Sequence, residues 1–238
     1  MIYYTFVINK GGQLIMKKIE NGLLILLEGG EGVGKTTQAK ILLEWLQGEG
    51  YDARYFREPG GNKIAEEIRN IILYNDIDAT TETLLFSAAR NINVQENLLP
   101  VLRGGGIVIL DRFHKSMQVY QGILRNGDIG FIHECIRQTC NDLYEDDGGY
   151  SLEFTLLCDP EVAVERAKAE GHERNKNDIL PVEDYKKIND AYRHLYEDYD
   201  EGLAFCHCID TTNLSLSQVT HALKDIITPV LVEATYEE

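Results

Sequence analysis

The fold is decided by the stretch Gly29-Gly30-Glu31-Gly32-Val33-Gly34-Lys35-Thr36, which follows the apolar run at residues 23–27. The stretch fits the phosphate-binding pattern G-x-x-x-x-G-K-[ST]. Its glycines let successive backbone N–H groups point at one anion, and a helix that starts directly after the loop directs its positive end at the same place. An ordinary glycine-rich turn is the alternative. The buried strand before the loop and the helical pattern at 38–46 after it favour the binding of a nucleoside triphosphate.

Lys35 and Thr36 have the most specific roles within this loop. The lysine would reach the β- and γ-phosphates, and the threonine hydroxyl would hold Mg²⁺. Contacts with the triphosphate are expected from the whole loop, namely Gly29, Gly30, Glu31, Gly32, Val33, Gly34, Lys35, Thr36 and Thr37.

Length and composition favour one α/β domain. The chain has 238 residues, of which 44% are apolar, and this is enough for a substantial buried core. The formal net charge of −16 disfavours a nucleic-acid partner, because binding phosphate backbones requires a surplus of Lys and Arg. Five cysteines without a repeating spacing indicate a reducing compartment, and no apolar run reaches about 18 residues. We therefore expect a cytoplasmic protein that does not bind a membrane.

The first fifteen residues lack the basic start and the long apolar core of a secretory signal. Because Met16 offers a second start, we expect residues 1–15 to be an N-terminal extension outside the fold. Residues 16–238 are then expected to form a single domain.

Strand-like apolar segments alternate with helical patterns along the chain. The five predicted strands are residues 23–27, 52–57, 107–110, 152–158 and 204–209. Helices are predicted at 62–73, with Ile64, Ile68, Ile71 and Ile72 facing the core, and at 81–102, with Leu84, Leu85, Ala88 and Ala89 facing the core. Further helices are predicted at 161–170, at 182–200 and after the capping-box pattern at 215–218. This alternation predicts a five-stranded parallel sheet with helices on both faces.

The segment Cys206-His207-Cys208 has two interpretations. Its residue types are those of a metal site. The alternation of residue types inside an apolar segment instead favours a core strand, which is the interpretation we prefer.

Polar clusters follow two of the predicted strands. Arg57-Glu58-Pro59-Gly60-Gly61 forms a tight loop at the carboxyl end of a strand, where open α/β sheets bind ligands, although a solvated turn fits the same residues. Asp111-Arg112 follows another strand. A carboxylate there organises Mg²⁺ in phosphate-loop enzymes, and the adjacent arginine can bind an anionic acceptor; an incidental surface Asp is the alternative. Two phosphate-binding centres in one small domain predict phosphoryl transfer between two nucleotides.

The polar segment 171–180 lies between two helical patterns and contains cations in an otherwise acidic protein. Such a segment suggests a mobile lid over the site. The same composition is also typical of an ordinary loop.

Four separated motifs resemble those of the bacterial-type thymidylate kinases, which belong to the P-loop nucleoside monophosphate kinase family. The motifs are residues 28–38, Arg57-Glu58-Pro59-Gly60-Gly61, Leu85-Phe86-Ser87-Ala88-Ala89-Arg90, and Asp111-Arg112-Phe113 followed by Ser116 and Tyr120-Gln121-Gly122. The resemblance extends from about Leu23 to Ile226. It implies a P-loop kinase fold with a short lid, Mg²⁺-dependent transfer of the γ-phosphoryl group of ATP to dTMP in dTTP biosynthesis, and a homodimer.

The resemblance implies how the phosphates and the metal are held. Arg57 and Arg112 would bind the acceptor phosphate, and Asp111 together with Thr36 would hold Mg²⁺. Together with the phosphate-loop lysine and a cation expected from the lid segment, the candidate catalytic residues are Lys35, Asp111, Arg112 and Arg174.

The resemblance also implies how the nucleoside is held. Glu31 would bind the sugar 3′-hydroxyl, and Tyr120 would crowd out a 2′-hydroxyl. Phe86 would stack on the thymine, and Arg90 would reach its carbonyl edge. The implied substrate-binding residues are Glu31, Arg57, Phe86, Arg90, Arg112, Ser116, Tyr120 and Gln121.

Several positions depart from the family pattern. Gly32 stands where some members have a basic residue that contacts the transferring phosphoryl group, so we expect Arg174 of the lid segment to supply this cation. Met117 replaces a small polar residue near the base, which leaves open how strictly the site selects dTMP over dUMP and other pyrimidines. In addition, Ile92-Asn93 replaces Gln-His, and Asn62 replaces Thr.

Two other classes of protein remain open at this point. A deoxynucleoside or adenylate kinase of the same fold would retain the phosphate loop but would need another acceptor pocket. A nucleotide-dependent switch or partitioning protein would hydrolyse ATP without an acceptor.

Overall fold

A five-stranded parallel sheet forms the centre of the computed structural model, which describes residues 7–8, 14–15, 17–145, 150–169, 180–200 and 205–237. The strands are β1 (Val7–Ile8), β2 (Leu14–Ile15), β3 (Lys17–Ile19), β4 (Leu23–Gly29), β5 (Ala53–Arg57), β6 (Ile107–Asp111), β7 (Tyr150–Leu157), β8 (Cys206–Asp210) and β9 (Thr235–Glu237). The helices are α1 (Lys35–Gly48), α2 (Lys63–Tyr74), α3 (Ala79–Asn93), α4 (Leu99–Arg103), α5 (His114–Met117), α6 (Ile129–Glu145), α7 (Pro160–Ala169), α8 (Val182–Leu195) and α9 (Leu216–Ala234). The central sheet has the order β5–β6–β4–β7–β8.

This sheet confirms the predicted α/β fold, and each predicted strand begins and ends within two residues of the observed one. The helix predicted at 81–102 is formed by α3 and α4 with a π-helical turn, Val94–Leu98, between them. The capping box at Ser215 is present, with both reciprocal hydrogen bonds to Gln218. Helices α5 and α6 lie in a segment, 113–145, for which no secondary structure was predicted.

The segment Cys206-His207-Cys208 lies in β8 at one edge of the central sheet, as the strand interpretation requires. Cys206 is buried, and the other two residues are partly buried. Within the described residues, no group of three or more His, Cys, Asp or Glu side chains is placed to hold a metal ion.

The predicted core faces of α2 and α3 are partly wrong. Ile64, Ile71 and Leu84 are 55%, 45% and 52% exposed, and Ala88 is exposed as well. The inward face of α3 instead carries polar side chains, namely Glu82, Thr83, Ser87 and Arg90. These polar groups are paired inside the protein, so apolar periodicity does not mark the inward face of this helix.

Strands β4 and β6 are buried over their whole length, as expected of central parallel strands covered on both faces. On one face, Ile25 and Ile109 pack in a core with apolar side chains of α1, α7 and α9. On the other face, Leu26 and Leu110 pack with side chains of α4 and α6. The two cores fix the neighbouring ends of β4 and β6, from which the functional residues extend.

The short strands lie outside the central sheet: β3 pairs with β9 and β1 pairs with β2, both antiparallel. Of the predicted extension 1–15, the structure describes only β1 and β2. The predicted lid at 171–180, including Arg174, lies outside the described residues except for Leu180. Among the described helices, none has the length and apolar character needed to cross a membrane.

Candidate active site

The phosphate loop connects the end of β4 at Gly29 to the start of α1 at Lys35. Two of its glycines have a left-handed backbone, with φ of 73° at Gly32 and 96° at Gly34. A Cβ on Gly32 would lie 2.1 Å from the carbonyl oxygen of Ala163, so a side chain does not fit there. The loop therefore depends on glycine, and it leads the chain into a helix N-terminus that attracts anions.

Lys35 is buried at the end of this loop, and only 5% of the residue is exposed. Its Nζ donates a 2.5 Å hydrogen bond to the carbonyl oxygen of Gly30. Burial and the nearby Arg112 lower the pKa of Lys35 to about 8, although the carboxylates of Glu31 and Asp111 act in the opposite direction. A phosphate group would favour the charged form of Lys35, because it is a stronger acceptor than a carbonyl oxygen.

The two predicted metal ligands lie side by side. The hydroxyl of Thr36 donates a 2.6 Å hydrogen bond to Oδ2 of Asp111, which Tyr55 also contacts through its hydroxyl at 3.3 Å. Burial and the charge of Asp111 raise the pKa of Tyr55, so the phenol stays protonated and donates. A hydroxyl and a carboxylate are the hard oxygen ligands that Mg²⁺ prefers, so this pair fits a magnesium ion bound next to the phosphate loop.

Arg112 begins the turn after β6 with a left-handed backbone, φ 71°. Its Nη2 pairs with Glu31, and its Nη1 donates to the carbonyl oxygen of Gly29 over 2.8 Å. The guanidinium lies 5.1 Å from the ring centroid of Tyr120. Burial alone would raise the pKa of Glu31, but Arg112 and Lys35 hold it below its ordinary value. The loop carboxylate and the sheet-end arginine are therefore charged together in the wall of the site.

Glu28 is a fully buried carboxylate at the end of β4, and no role was predicted for it. Its Oε1 accepts hydrogen bonds from the backbone N–H groups of Phe113 (2.9 Å) and Ser116 (3.2 Å). Its Oε2 accepts from the hydroxyls of Ser116 (2.6 Å) and Tyr192 (3.3 Å). Glu28 therefore fixes the turn that carries Arg112. A glutamate at the end of an otherwise apolar strand is the sequence signal for such a residue.

Two cations lie together at the loop after β5. Arg57 Nη2 contacts both carboxylate oxygens of Glu66 at 3.0 and 3.1 Å, and both side chains are 41% exposed. Arg69, one turn further along α2, donates to the carbonyl oxygen of Pro59 over 3.1 Å. Burial and the charge of Arg57 lower the pKa of Arg69. Arg69 was not among the predicted site residues, although a cation near the inward face of an amphipathic helix could have indicated it.

Arg90 is held tightly on the opposite side of the site, with 1% of its side chain exposed. Its Nε donates to Glu58 over 2.8 Å, and its Nη2 donates to the carbonyl oxygen of Phe113 over 2.9 Å. Its guanidinium stacks on the Phe113 ring at 4.8 Å, and its Nη1 lies 3.9 Å from Sδ of Met117. The predicted partner Phe86 lies one turn earlier on α3 and faces the same cavity.

One cavity of about 610 Å³ joins these groups. Every predicted substrate-binding residue lines it, and so do Lys35, Thr36 and Asp111. Arg69, Glu82 and Arg125 line it without having been predicted. The structure therefore brings the phosphate loop, the predicted metal ligands and the predicted acceptor site into one continuous space of a size typical for nucleotide-sized ligands.

Comparison with known proteins identifies the family. The thymidylate kinase family model matches residues 27–219. The chain belongs to the thymidylate kinase family. The thymidylate kinase of Jannaschia sp. (strain CCS1) is 35% identical over 217 residues, which cover 89% of this chain and 99% of the relative. That of Rickettsia bellii (strain RML369-C) is 31% identical over 209 residues, which cover 88% and 97%.

A crystal structure of thymidylate kinase from Ehrlichia chaffeensis has the same fold, with a TM-score of 0.64 and 24% identity over 87% of this chain and 98% of that chain. Thymidylate kinases phosphorylate dTMP to dTDP with ATP as the donor. Membership in the thymidylate kinase family confirms the resemblance found in the four sequence motifs. It also disfavours the two other classes, a kinase for a different acceptor and a nucleotide-dependent switch.

Proposed function

We propose that this chain transfers the γ-phosphoryl group of ATP to the phosphate of dTMP, giving dTDP and ADP for dTTP synthesis. The observation that carries the proposal is the shared cavity, in which Lys35 and Thr36 lie in the same space as Phe86 and Arg90. A donor and an acceptor that meet in one cavity can be aligned for in-line transfer, and alignment is the main requirement of this reaction.

On the donor side, the phosphate loop and Lys35 bind the β- and γ-phosphates. Thr36 and Asp111, which share a 2.6 Å hydrogen bond, are the residues that would hold Mg²⁺. When bound, the ion neutralises charge that develops on the phosphate oxygens. Among the described residues, no two of the five cysteines form a disulfide, which supports a cytoplasmic location for the reaction.

On the acceptor side, Arg112 and Arg57 bind the phosphate of dTMP. Arg112 already lies beside the phosphate loop, while Arg57 exchanges its half-exposed partner Glu66 for the phosphate. A phosphate oxygen is largely ionised near neutral pH, so the attack does not need a strong general base. Catalysis then consists of positioning and charge stabilisation.

The nucleoside lies between the acceptor phosphate and α3. Phe86 stacks on the thymine, and Arg90 donates to its carbonyl edge. Glu31 accepts from the sugar 3′-hydroxyl, and the Tyr120 ring occupies the space that a 2′-hydroxyl would need. Burial raises the pKa of Tyr120, so its phenol stays neutral beside the sugar.

The release of ADP with different acceptors tests this function. With dTMP present, we expect ADP release at least about 100-fold faster than with ATP alone, because the acceptor completes the aligned site. AMP should not replace dTMP, and Lys35→Ala should abolish transfer while the protein stays folded. ADP release that ignores dTMP would indicate a switch protein, and a preference for AMP would indicate a different kinase.

Arg174, outside the described residues, is our proposal for the cation that contacts the transferring phosphoryl group. Gly32 offers no charge, and the other arginine near the lid, Arg166, donates to the carbonyl oxygens of Thr211 (3.1 Å) and Thr212 (3.2 Å). We therefore expect Arg174→Ala to lower kcat by at least about 100-fold with little change in the KM for dTMP. Arg174→Lys should restore little, because lysine lacks the planar fork. Loss of kcat in Lys176→Ala, with Arg174→Ala near normal, would transfer the role to Lys176.

We also propose a homodimer formed through α2 and α3. These helices pack against each other and leave Ile64, Ile71 and Leu84 about half exposed. Packing of this apolar surface against the same surface of a second copy would remove it from water. We expect Ile71→Asp combined with Leu84→Asp to convert a dimer into a monomer in light scattering. Val232→Asp is the control, because Val232 is 78% exposed on α9. A wild-type monomer, or a double variant that stays dimeric, would contradict this interface.

A further inference from the structure

Glu82 is a buried carboxylate in the wall of the cavity, and the proposed roles do not use it. The residue on α3 is 2% exposed. Its Oε1 accepts a 2.9 Å hydrogen bond from Nη1 of Arg125, which also donates to the carbonyl oxygen of Ile77 over 3.0 Å. Its Oε2 accepts a 2.9 Å hydrogen bond from the side-chain amide of Gln121. A buried charge compensated in this way holds its neighbours in a defined orientation.

The contact with Glu82 determines which way the Gln121 amide faces. An ionised carboxylate only accepts hydrogen bonds, so the amide must present its NH₂ group to Glu82. The carbonyl oxygen, Oε1, then lies on the other branch of the amide. Because Gln121 is 3% exposed and lines the cavity, this oxygen is the polar atom that it offers to a ligand.

Arg90, in contrast, offers only donors to the same cavity. Two of its nitrogens are engaged by Glu58 and by the carbonyl oxygen of Phe113, which fix the plane of the guanidinium. The base site therefore combines a fixed donor at Arg90 with a fixed acceptor at Gln121. A pyrimidine-2,4-dione has the complementary edge, a carbonyl oxygen at position 4 next to an N–H at position 3. Cytosine has the opposite order, an amino group at position 4 next to an unprotonated nitrogen.

We propose that Glu82 makes the base site selective for pyrimidine-2,4-diones by fixing the orientation of the Gln121 amide. Glu82 is a positioning residue in this arrangement, because it acts through Gln121, and Arg125 supports it as the counter-ion. The inference rests on the proposed placement of the base beside Phe86 and Arg90. A site that pairs the edge of its ligand rejects an analogue with the opposite hydrogen-bonding pattern, because buried polar groups are then left unpaired.

The variant Glu82→Gln tests this inference. A glutamine can present either its carbonyl or its NH₂ group to Gln121, so the amide of Gln121 is free to turn over. We expect the ratio of kcat/KM for dTMP to kcat/KM for dCMP to fall by at least about tenfold. The ratio of dTMP to dUMP should stay unchanged, because uracil has the same edge as thymine. A general loss of packing would lower all three activities together and would leave both ratios as they are.

Glu153→Gln is the matched control. Glu153 is also a buried carboxylate, held by Lys115 at 2.7 Å and His114 at 3.3 Å, but it does not line the cavity. This control should leave the dTMP to dCMP ratio at the wild-type value, whatever it does to the melting temperature. Arg125→Met removes the counter-ion of Glu82 and should lower the ratio in the same direction as Glu82→Gln, which provides a second test if one variant does not fold.

The outcomes separate this inference from the proposed function. A wild-type enzyme that phosphorylates dCMP as well as dTMP would contradict the proposed base site itself. A wild-type preference for dTMP that persists in folded Glu82→Gln or in folded Arg125→Met would contradict only the role of Glu82. A fall of the ratio in Glu153→Gln as large as that in Glu82→Gln would also contradict it, since any buried carboxylate would then have the same effect.

Discussion

The buried carboxylate of Glu28 connects the two halves of the active site. It lies at the end of the central strand β4, directly before the phosphate loop, and accepts four hydrogen bonds. Three of these come from Phe113 and Ser116, in the turn that begins with the left-handed residue Arg112. Without an acceptor at this position, both N–H groups would lose their partner, which costs about 1–3 kcal/mol for a buried group such as the Phe113 N–H. The carboxylate of Glu28 therefore holds the acceptor turn next to the phosphate loop.

The groups next to this connection already have partners within the site. Glu31 pairs with Arg112, and Thr36 donates to Asp111, so each charged or metal-binding group has a partner in the described residues. Burial and Arg112 bring the pKa of Lys35 down to about 8, and a phosphate bound beside it would favour the charged form. Such an arrangement keeps the side chains in place for substrates, because new phosphate contacts replace existing internal contacts instead of ordering free side chains.

The sequence was sufficient for the parts of the structure that have local signals. The glycine pattern with Lys35 predicted the phosphate loop, and apolar runs predicted the five strands. The rule that ligands bind at the carboxyl ends of parallel strands placed Asp111 and Arg112 beside that loop. Family motifs supplied the nucleoside side, where Phe86 and Gln121 share the cavity.

The remaining parts could not be predicted because their signals are not local. Glu28 contacts Phe113 and Ser116, which lie 85 and 88 positions further along the chain, and Glu82 contacts Gln121, which lies 39 positions further along. Spacing in the sequence therefore does not reveal the partners of either carboxylate. The apolar face of α3 was misassigned because its inward face carries paired polar groups. In an active site, polar side chains occupy positions that apolar residues occupy elsewhere, and this reverses the usual rule for the buried face.

The most direct test of the connection made by Glu28 compares Glu28→Ala with Glu28→Gln in steady-state kinetics. Glutamine keeps one oxygen for the N–H groups of Phe113 and Ser116, whereas alanine leaves both groups without an acceptor. If Glu28 orders the acceptor turn, Glu28→Ala should raise the KM for dTMP by at least about tenfold, while the KM for ATP changes less than about threefold. Both KM values of Glu28→Gln should stay much closer to those of the wild type. An unchanged KM for dTMP in folded Glu28→Ala, or equal effects on both substrates, would contradict the account.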